Sequence, residues 1–273
     1  MSIMLHRSGI MSASLSTLHP MTLDYIARLQ AVDGHEPAFD EANDYLIREL
    51  VTLGGAYWDT MGTMTALAGK KWEGLLIPLR DGMDVGTNYN FESGDFNANT
   101  GLIGDEATKY IDANRNNNTD PQNNFAMGVI VTDNSANTAG TVHIAGGMRS
   151  VSGSSYIYRA SHLHFGVRSS GDQIFAFGQS STGYIGASRA DGSSIDIRRG
   201  STTENRSQGS QARHNETISV FRSNNDSAAL PSENPNGYSA SRIMLYHIGP
   251  AIDLTTIADI LNEYRTRIEA VTL

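Results

Sequence analysis

The chain has 273 residues, 20 basic and 29 acidic side chains, a formal net charge of -9 and no cysteine. Zero cysteine removes disulfides, thiolate metal sites, iron–sulfur clusters and cysteine nucleophiles together. The acidic balance argues against a nucleic-acid partner, which would need a concentrated basic face, and no run approaches the roughly 18 apolar residues that cross a bilayer, so no membrane insertion is expected.

The 28 Ser, 21 Thr, 20 Asn and 27 Gly favour short strands joined by many turns, because Gly and Asn supply positive φ and the small polar side chains satisfy turn backbone groups. Residues 1–21 form an N-terminal arm whose apolar residues are too scattered for a secretory core of ~7–15 residues. Within it Ile3, Met4, Leu5, Ile10 and Met11 belong either to a frayed terminus or to an assembly contact with a partner.

Residues 22–74 read as a helical lead-in. Thr22 is a candidate N-cap, Leu23, Ile26 and Leu29 follow at helical spacing, and Asp33-Gly34 stops the run. A second helix starts near Pro37 and carries Phe39, Leu46, Leu50 and Leu53 to Gly54-Gly55, and a third is predicted over Tyr57–Ala68, ending at Gly69.

From residue 75 to 273 the grammar is that of a β-domain with a terminal helix. Strands are predicted near 126–132, 141–145, 155–160, 162–167, 173–177, 184–189, 194–199, 217–222 and 242–248. Gly146-Gly147, Gly171-Asp172, Asp191-Gly192 and Asn236-Gly237 are the turn dipeptides between them. Strands at roughly 8–15-residue spacing without intervening helices predict two packed antiparallel sheets. Asp253 then caps a closing helix that places Ile257, Ile260, Leu261, Tyr264, Ile268 and Val271 on one face. The fold class is mainly β: an antiparallel sandwich with a small N-terminal helical unit and a C-terminal helix.

The segment 91–124, FESGDFNANTGLIGDEATKYIDANRNNNTDPQNN, resembles a stretch of structural proteins from tailed bacteriophages and prophages that carry a concanavalin A-like lectin/glucanase sandwich. Gly183–Arg189, Tyr57-Trp58-Asp59 and Leu245–Gly249 followed by a helix are similar as well, so the resemblance covers most of the chain beyond Thr22. It implies a jelly-roll-like, concanavalin A-like sandwich in a virion component of tail, fibre or head, and it transfers no ligand-binding residue.

A catalytic sandwich of that type needs paired carboxylates in a Glu-x-Asp-x-x-Glu run on one strand. No such run is present, and the nearest strand acid, Asp196, has no Glu two residues away. The Gly-x-Ser-x-Gly and His-Glu-x-x-His motifs are absent, and Gly69-Lys70-Lys71 has Met64 where a phosphate loop needs its first Gly. His162 and His164 share a strand face and offer two imidazoles without a third ligand, so surface histidines flanking Leu163 are the alternative. The loop 114–120 offers oxygens toward the ~6–8 that calcium takes, or caps its own backbone. Arg198, Arg199, Arg206 and Arg213 fall in a Ser, Gln and Gly-rich stretch that is either a ligand loop for an anionic glycan or a solvated loop. Trp58 and Trp72 lie in the lead-in, where packing is expected; Tyr156, Tyr158, Tyr184 and Tyr238 are candidate sugar platforms.

Together these features predict a noncatalytic structural component of a virion, without cofactor, that attaches through its N-terminal region to other virion proteins. The alternatives are a receptor-binding module for host surface glycan and, behind it, a glycan hydrolase. Unpaired sheet edges and an apolar arm also predict a homo-oligomer, with a trimer as one arrangement.

Overall fold

The computed structural model describes residues 17–53, 55–135, 141–147, 151–159, 162–175, 182–223 and 237–273, with residues 55, 56 and 175 given by their backbone alone. The arm residues Ile3, Met4, Leu5, Ile10 and Met11, together with Asn236, lie outside the described residues.

The chain begins with α1 (Pro20–Gln30). Its N-cap is His19, whose Nδ1 accepts the Met21 N–H at 3.2 Å, and not Thr22 as the sequence predicts. Pro20 explains the earlier start, since its fixed φ suits a first helical position, and Thr22 is buried inside the helix donating to Asp44 Oδ1 at 2.7 Å. After a single turn at Pro37–Phe39 comes α2 (Asp40–Thr52). The third helix is shorter than predicted: α3 (Gly55–Thr60) stops, and Thr63–Ala66 is a strand, β1. At Gly62, between the two, a Cβ would lie 2.2 Å from the Arg115 guanidinium, so the close approach of that arginine requires glycine.

The remaining strands are β2 (Thr87–Tyr89), β3 (Phe96–Asn97), β4 (Gly101–Ile103), β5 (Tyr110–Asn116), β6 (Phe125–Asp133), β7 (Thr141–Gly146), β8 (Ser154–Arg159), β9 (Leu163–Ser169), β10 (Gln173–Phe175), β11 (Gly183–Arg189), β12 (Ser194–Arg199), β13 (Thr202–Ser207), β14 (Thr217–Val220) and β15 (Arg242–Gly249), before α4 (Leu254–Glu269). Each of the nine predicted strands appears, within a residue or two at most ends, with residues 160, 176 and 177 of the predicted 155–160 and 173–177 strands outside the described residues. Those at 63–66, 87–89, 96–97, 101–103, 110–116 and 202–207 were not foreseen.

One sheet runs β13-β12-β11-β6-β15-β4-β3, with β1 also on β15; the second runs β10-β9-β8-β7-β14-β5-β2. All pairings are antiparallel, as the turn dipeptides require. Strand alternation sends Met127, Val129, Val131, Ile185, Ala187 and Ile197 of the first sheet against Ile111, Ala113, Ile144, Ile157, Phe165 and Val167 of the second, forming the sandwich core.

The other face of the first sheet is covered by helices. Met64, Ala66, Ile130, Tyr184 and Leu245 pack against Tyr25, Leu46, Leu50, Trp58, Ile257, Leu261 and Tyr264 in a second core. β1 lies on the N-terminal side of residue 75, so the lead-in contributes a strand to the sandwich as well as its helical cover. Asp253 caps α4 as predicted, accepting the N–H groups of Thr255 and Thr256 at 2.9 and 3.4 Å.

Two polar devices are sealed under this cover. His247 of β15 lies between Tyr184 of β11, with its hydroxyl 2.8 Å from Nε2, and Tyr57 of α3, with its hydroxyl 3.4 Å from Nδ1. Burial lowers its pKa to about 3. Lys70 is fully buried, donates to the carbonyls of Gly74 and Ile77 at 3.0 Å each, and lies 5.4 Å from the Tyr25 ring centre. Burial pulls its pKa well below the ordinary lysine value, with Arg28 adding to the effect.

Candidate functional site

The helical layer closes one side of the molecule. The open counterpart is the β2–β5 edge of the second sheet. There Thr87 pairs with Asp112 and Tyr89 with Tyr110. Ile111 and Ala113 point into the sandwich core, so alternation turns Asp112 and its partner Thr87 to the opposite face, while Tyr110, paired with Tyr89, is half-buried and also packs against the margin of that core.

Tyr89 and Tyr110 stack with ring centres 4.3 Å apart and planes 3° from parallel. Arg222, just past β14, sets its guanidinium 4.3 Å from the Tyr110 ring centre and 5.7 Å from that of Tyr238, and donates Nε–H to the Ser223 carbonyl at 3.1 Å. Tyr238 meets Tyr110 edge-on at 6.3 Å. Tyr89 is the outermost member of the stack at 39% exposure. A cation over an aromatic face favours this arrangement by ~0.5–1 kcal/mol at an exposed site.

The backbone around these residues is held by side-chain contacts. Asn88 donates Nδ2–H to the Phe91 carbonyl at 3.0 Å and accepts the Phe91 N–H at 3.1 Å. Asn90 donates to the Thr108 carbonyl at 3.0 Å. Asn114 donates to the Val85 carbonyl at 2.7 Å and to Thr87 Oγ1 at 2.9 Å, and its N–H reaches Asp112 Oδ1 at 2.7 Å. Beneath the platform, Phe91 and Phe221 pack edge to face at 5.0 Å.

The predicted arginine loop has a different form. Residues 202–207 are β13, paired along β12, so the stretch is a hairpin and not a solvated loop up to Ser207. Arg198 faces the helical layer, donating to the Gly200 carbonyl at 2.9 Å and Thr203 Oγ1 at 2.6 Å, with Asp259 of α4 at 3.6 Å. Arg199 is buried one residue on, facing the other way, and Arg206 pairs with Glu204. Arg213 donates to the carbonyls of Asn118 and Asp120 at 2.6 and 2.8 Å. The four guanidinium groups thus do not converge on one point.

Arg213 instead shares the Asn-rich loop with two other arginines. Arg168, over the Phe125 ring at 4.2 Å, donates to the carbonyls of Asp120 and Pro121, and Arg115 forks onto the Asp120 carboxylate at 3.0 and 2.6 Å. Burial lowers the Arg168 pKa to about 10 despite the attraction of Asp120. The carbonyls of Asn118 and Asp120 and the Asp120 carboxylate therefore face protein donors. The rings of His162 and His164 stand perpendicular with centres 6.3 Å apart, and His164 Nδ1 lies 2.7 Å from Asp172 Oδ2 while its ring stacks on Tyr158. Among the described residues no group of three His, Cys, Asp or Glu could hold a metal ion. Asp196 accepts from Asn205 Nδ2 at 2.8 Å.

Of the candidate tyrosines, Tyr184 is sealed beneath the helices and Tyr156 and Tyr158 are buried, whereas Tyr238 belongs to the exposed edge. Tyr89, Tyr110 and Arg222 were missed, and Asp112 stands out in the sequence only as an oxygen just before the Asn-rich loop. The Tyr-Ile-Asp-Ala alternation at 110–113 is the signal that could have found β5, while β2 is three residues long and Asn-flanked, and its pairing is decided elsewhere in the chain.

No protein-family model matches the chain, and no curated protein matches it closely enough to count as a relative. Among solved structures it is similar to a mutant of Trypanosoma rangeli sialidase displaying trans-sialidase activity, at TM-score 0.53 and 8% identity over 89% of this chain and 39% of that one. Two botulinum neurotoxin structures match at TM-score 0.49 and 11% identity over 77% of this chain and 52% of theirs. One is the binding domain of neurotoxin DC with rat synaptotagmin II, and the other is described by the dependence of type C cell entry on two ganglioside molecules. The chain spans about two fifths to one half of the length of these neighbours. The likeness to the sialidase is one of fold: an antiparallel β-sandwich.

Proposed function

We propose that this chain is a noncatalytic structural component of a phage particle that holds its sandwich outward and contacts glycan on the host surface. The observation that carries the glycan contact is the exposed Tyr89 ring, stacked on the half-buried Tyr110 on the side of the molecule away from the helical cover. Flat aromatic faces at an open edge suit the apolar face of a sugar ring, and polar neighbours supply direction.

The resemblance of segment 91–124 to phage structural proteins supports the virion assignment, and the same segment forms β5 with Tyr110 and Asp112. Receptor contact is favoured over a purely decorative role because the platform is partly open to solvent. The noncatalytic part is supported by β12, where Asp196 is the single carboxylate of the strand and is already engaged by Asn205. Attachment through the N-terminal region and assembly as a homo-oligomer, a trimer among the arrangements, belong to the same proposal.

The test is binding of the purified protein to host cells and isolated host surface polysaccharide, alongside detection of the protein in intact particles. Presence in the particle together with saturable binding is the expected result. Absence from the particle overturns the virion role. Release of reducing sugar that disappears in Asp196→Asn overturns the noncatalytic one.

A further inference from the structure

We infer that the β2–β5 edge is a preorganised subsite for an uncharged pyranose, with Tyr89 as its stacking surface and Asp112 as the acceptor of a sugar hydroxyl. This inference rests on the glycan-binding reading and adds the residues and the ligand class.

Two independent observations carry it. The first is placement. Asp112 is the diagonal cross-strand neighbour of Tyr89 on the same face, two residues along β5 from Tyr110. Such diagonal neighbours lie about 7–8 Å apart, which suits a ring seated on the tyrosine with one hydroxyl reaching the carboxylate. Asp112 Oδ1 is fixed by the Asn114 N–H at 2.7 Å, and Oδ2 has no protein partner among the described residues. A carboxylate oxygen that accepts from a hydroxyl makes one of the stronger hydrogen bonds, because the acceptor is ionised.

The second is backbone conformation. Of the six described residues other than glycine with positive φ, Asn90, Asn114 and Phe221, at +66°, +53° and +71°, lie at this edge, and Asp33, Glu106 and Arg168 lie elsewhere. Asn90 follows Tyr89 directly, Asn114 is two residues past Asp112, and Phe221 precedes Arg222. Asn adopts the left-handed conformation more readily than other residues except Gly, whereas for a Phe it is a genuine outlier. At Phe221 it has a visible result: Val220 and Phe221 both enter the sandwich core, and Arg222 is thrown to the outer face over Tyr110. At Asn114 the register between β5 and β14 slips, marking a bulge of the kind that re-aims a side chain. A strained position such as Phe221 persists where its surroundings over-determine it.

The charge pattern selects the ligand class. Arg222 is engaged with Tyr110 and the Ser223 carbonyl, while Asp112 presents a negative charge in a chain of net charge -9. A sugar carboxylate would therefore meet repulsion at the position where a neutral sugar donates a hydroxyl.

The experiment is a titration of the full chain with three neutral trisaccharides (maltotriose, cellotriose and a galactose trimer), a sialylated trisaccharide, and host surface polysaccharide. The variants are Tyr89→Ala, Tyr89→Phe, Asp112→Ala and Asp112→Asn, with Met21→Ala on the helical side as control. At least one neutral probe should bind. Tyr89→Ala should weaken it roughly 10-fold or more, the loss of one contact of about 1.4 kcal/mol, while Tyr89→Phe and Met21→Ala should leave affinity within about 2-fold. Asp112→Ala should weaken binding, and Asp112→Asn, which keeps an acceptor oxygen, should weaken it less. Tighter binding of the sialylated probe than of every neutral one overturns the ligand class. Binding that Tyr89→Ala leaves unchanged overturns the site and leaves the glycan-binding reading standing. No binding to any probe, the host polysaccharide included, overturns that reading and the inference with it.

Discussion

His247 sets up a stability test that can be worked through from the structure. The imidazole lies between two tyrosine hydroxyls, one facing each nitrogen. A neutral ring offers one donor and one acceptor and suits such a pair, whereas a protonated ring would place an uncompensated charge in a fully buried site. Burial accordingly lowers its pKa from the ordinary 6.5 to about 3. The unfolded chain takes up a proton below its ordinary pKa while the folded chain resists it. The contribution of His247 is therefore fully present above the unfolded value and is lost as pH falls from there toward the folded one. At about pH 5 the gap is about 1.5 pH units, or about 2 kcal/mol at about 1.4 kcal/mol per unit. His247→Gln keeps one donor and one acceptor between the tyrosines but cannot titrate. Urea unfolding followed by circular dichroism at about pH 7.5 and about pH 5 should show the wild type losing about 2 kcal/mol more than the variant across that interval. Carboxylates act on both proteins alike and cancel in the difference. Equal losses would refute the reasoning, since they would mean that the ring is protonated in the folded protein.

His143 of β7 is likewise buried, and burial together with nearby Arg159 lowers its pKa to about 3, so His143→Gln should flatten the acid limb by a comparable amount in the same assay. Gly186→Ala should destabilise by about 1–3 kcal/mol, because the added Cβ would lie 2.2 Å from the Tyr184 hydroxyl; combining it with Tyr184→Ala should show coupling in a double-mutant cycle. Arg115→Ala removes the partner of Asp120 and of Asp84, and leaving the nearly buried Asp120 unpaired should cost about 3 kcal/mol in denaturant unfolding. Asp253→Ala removes the cap of α4 and should cost about 1 kcal/mol. Deleting residues 1–16, which leaves α1 and its His19 cap intact, should preserve the unfolding transition while the protein no longer enters particles; normal incorporation would count against attachment through the arm.

The parts of the fold that are legible in the sequence depend on near neighbours. Strands such as Gly183–Arg189 and Arg242–Gly249 carry enough apolar and β-branched residues, bounded by turn residues, to declare themselves. The cap and apolar stripe of α4 are equally local. The failures have the opposite character. Thr63–Ala66 sits in a run that scans as helix and becomes a strand because Leu245–Ile248 offers it backbone partners about 180 residues away. β13 was hidden by polar composition, since a solvent-facing edge strand needs no apolar signature.

The candidate site shows the same division. Tyr238 was identified as a platform residue by type alone, but its neighbours Tyr89, Tyr110 and Arg222 come from separate segments joined by the register of the second sheet. By itself the amino-acid order determined an antiparallel, cysteine-free β-protein with helical ends, because periodicity, caps and turns are local. Which sheet face the helices cover, and which tyrosines remain at an open edge, was decided only when strands far apart in the chain paired, since sheet register is a property of the pair and of neither strand alone.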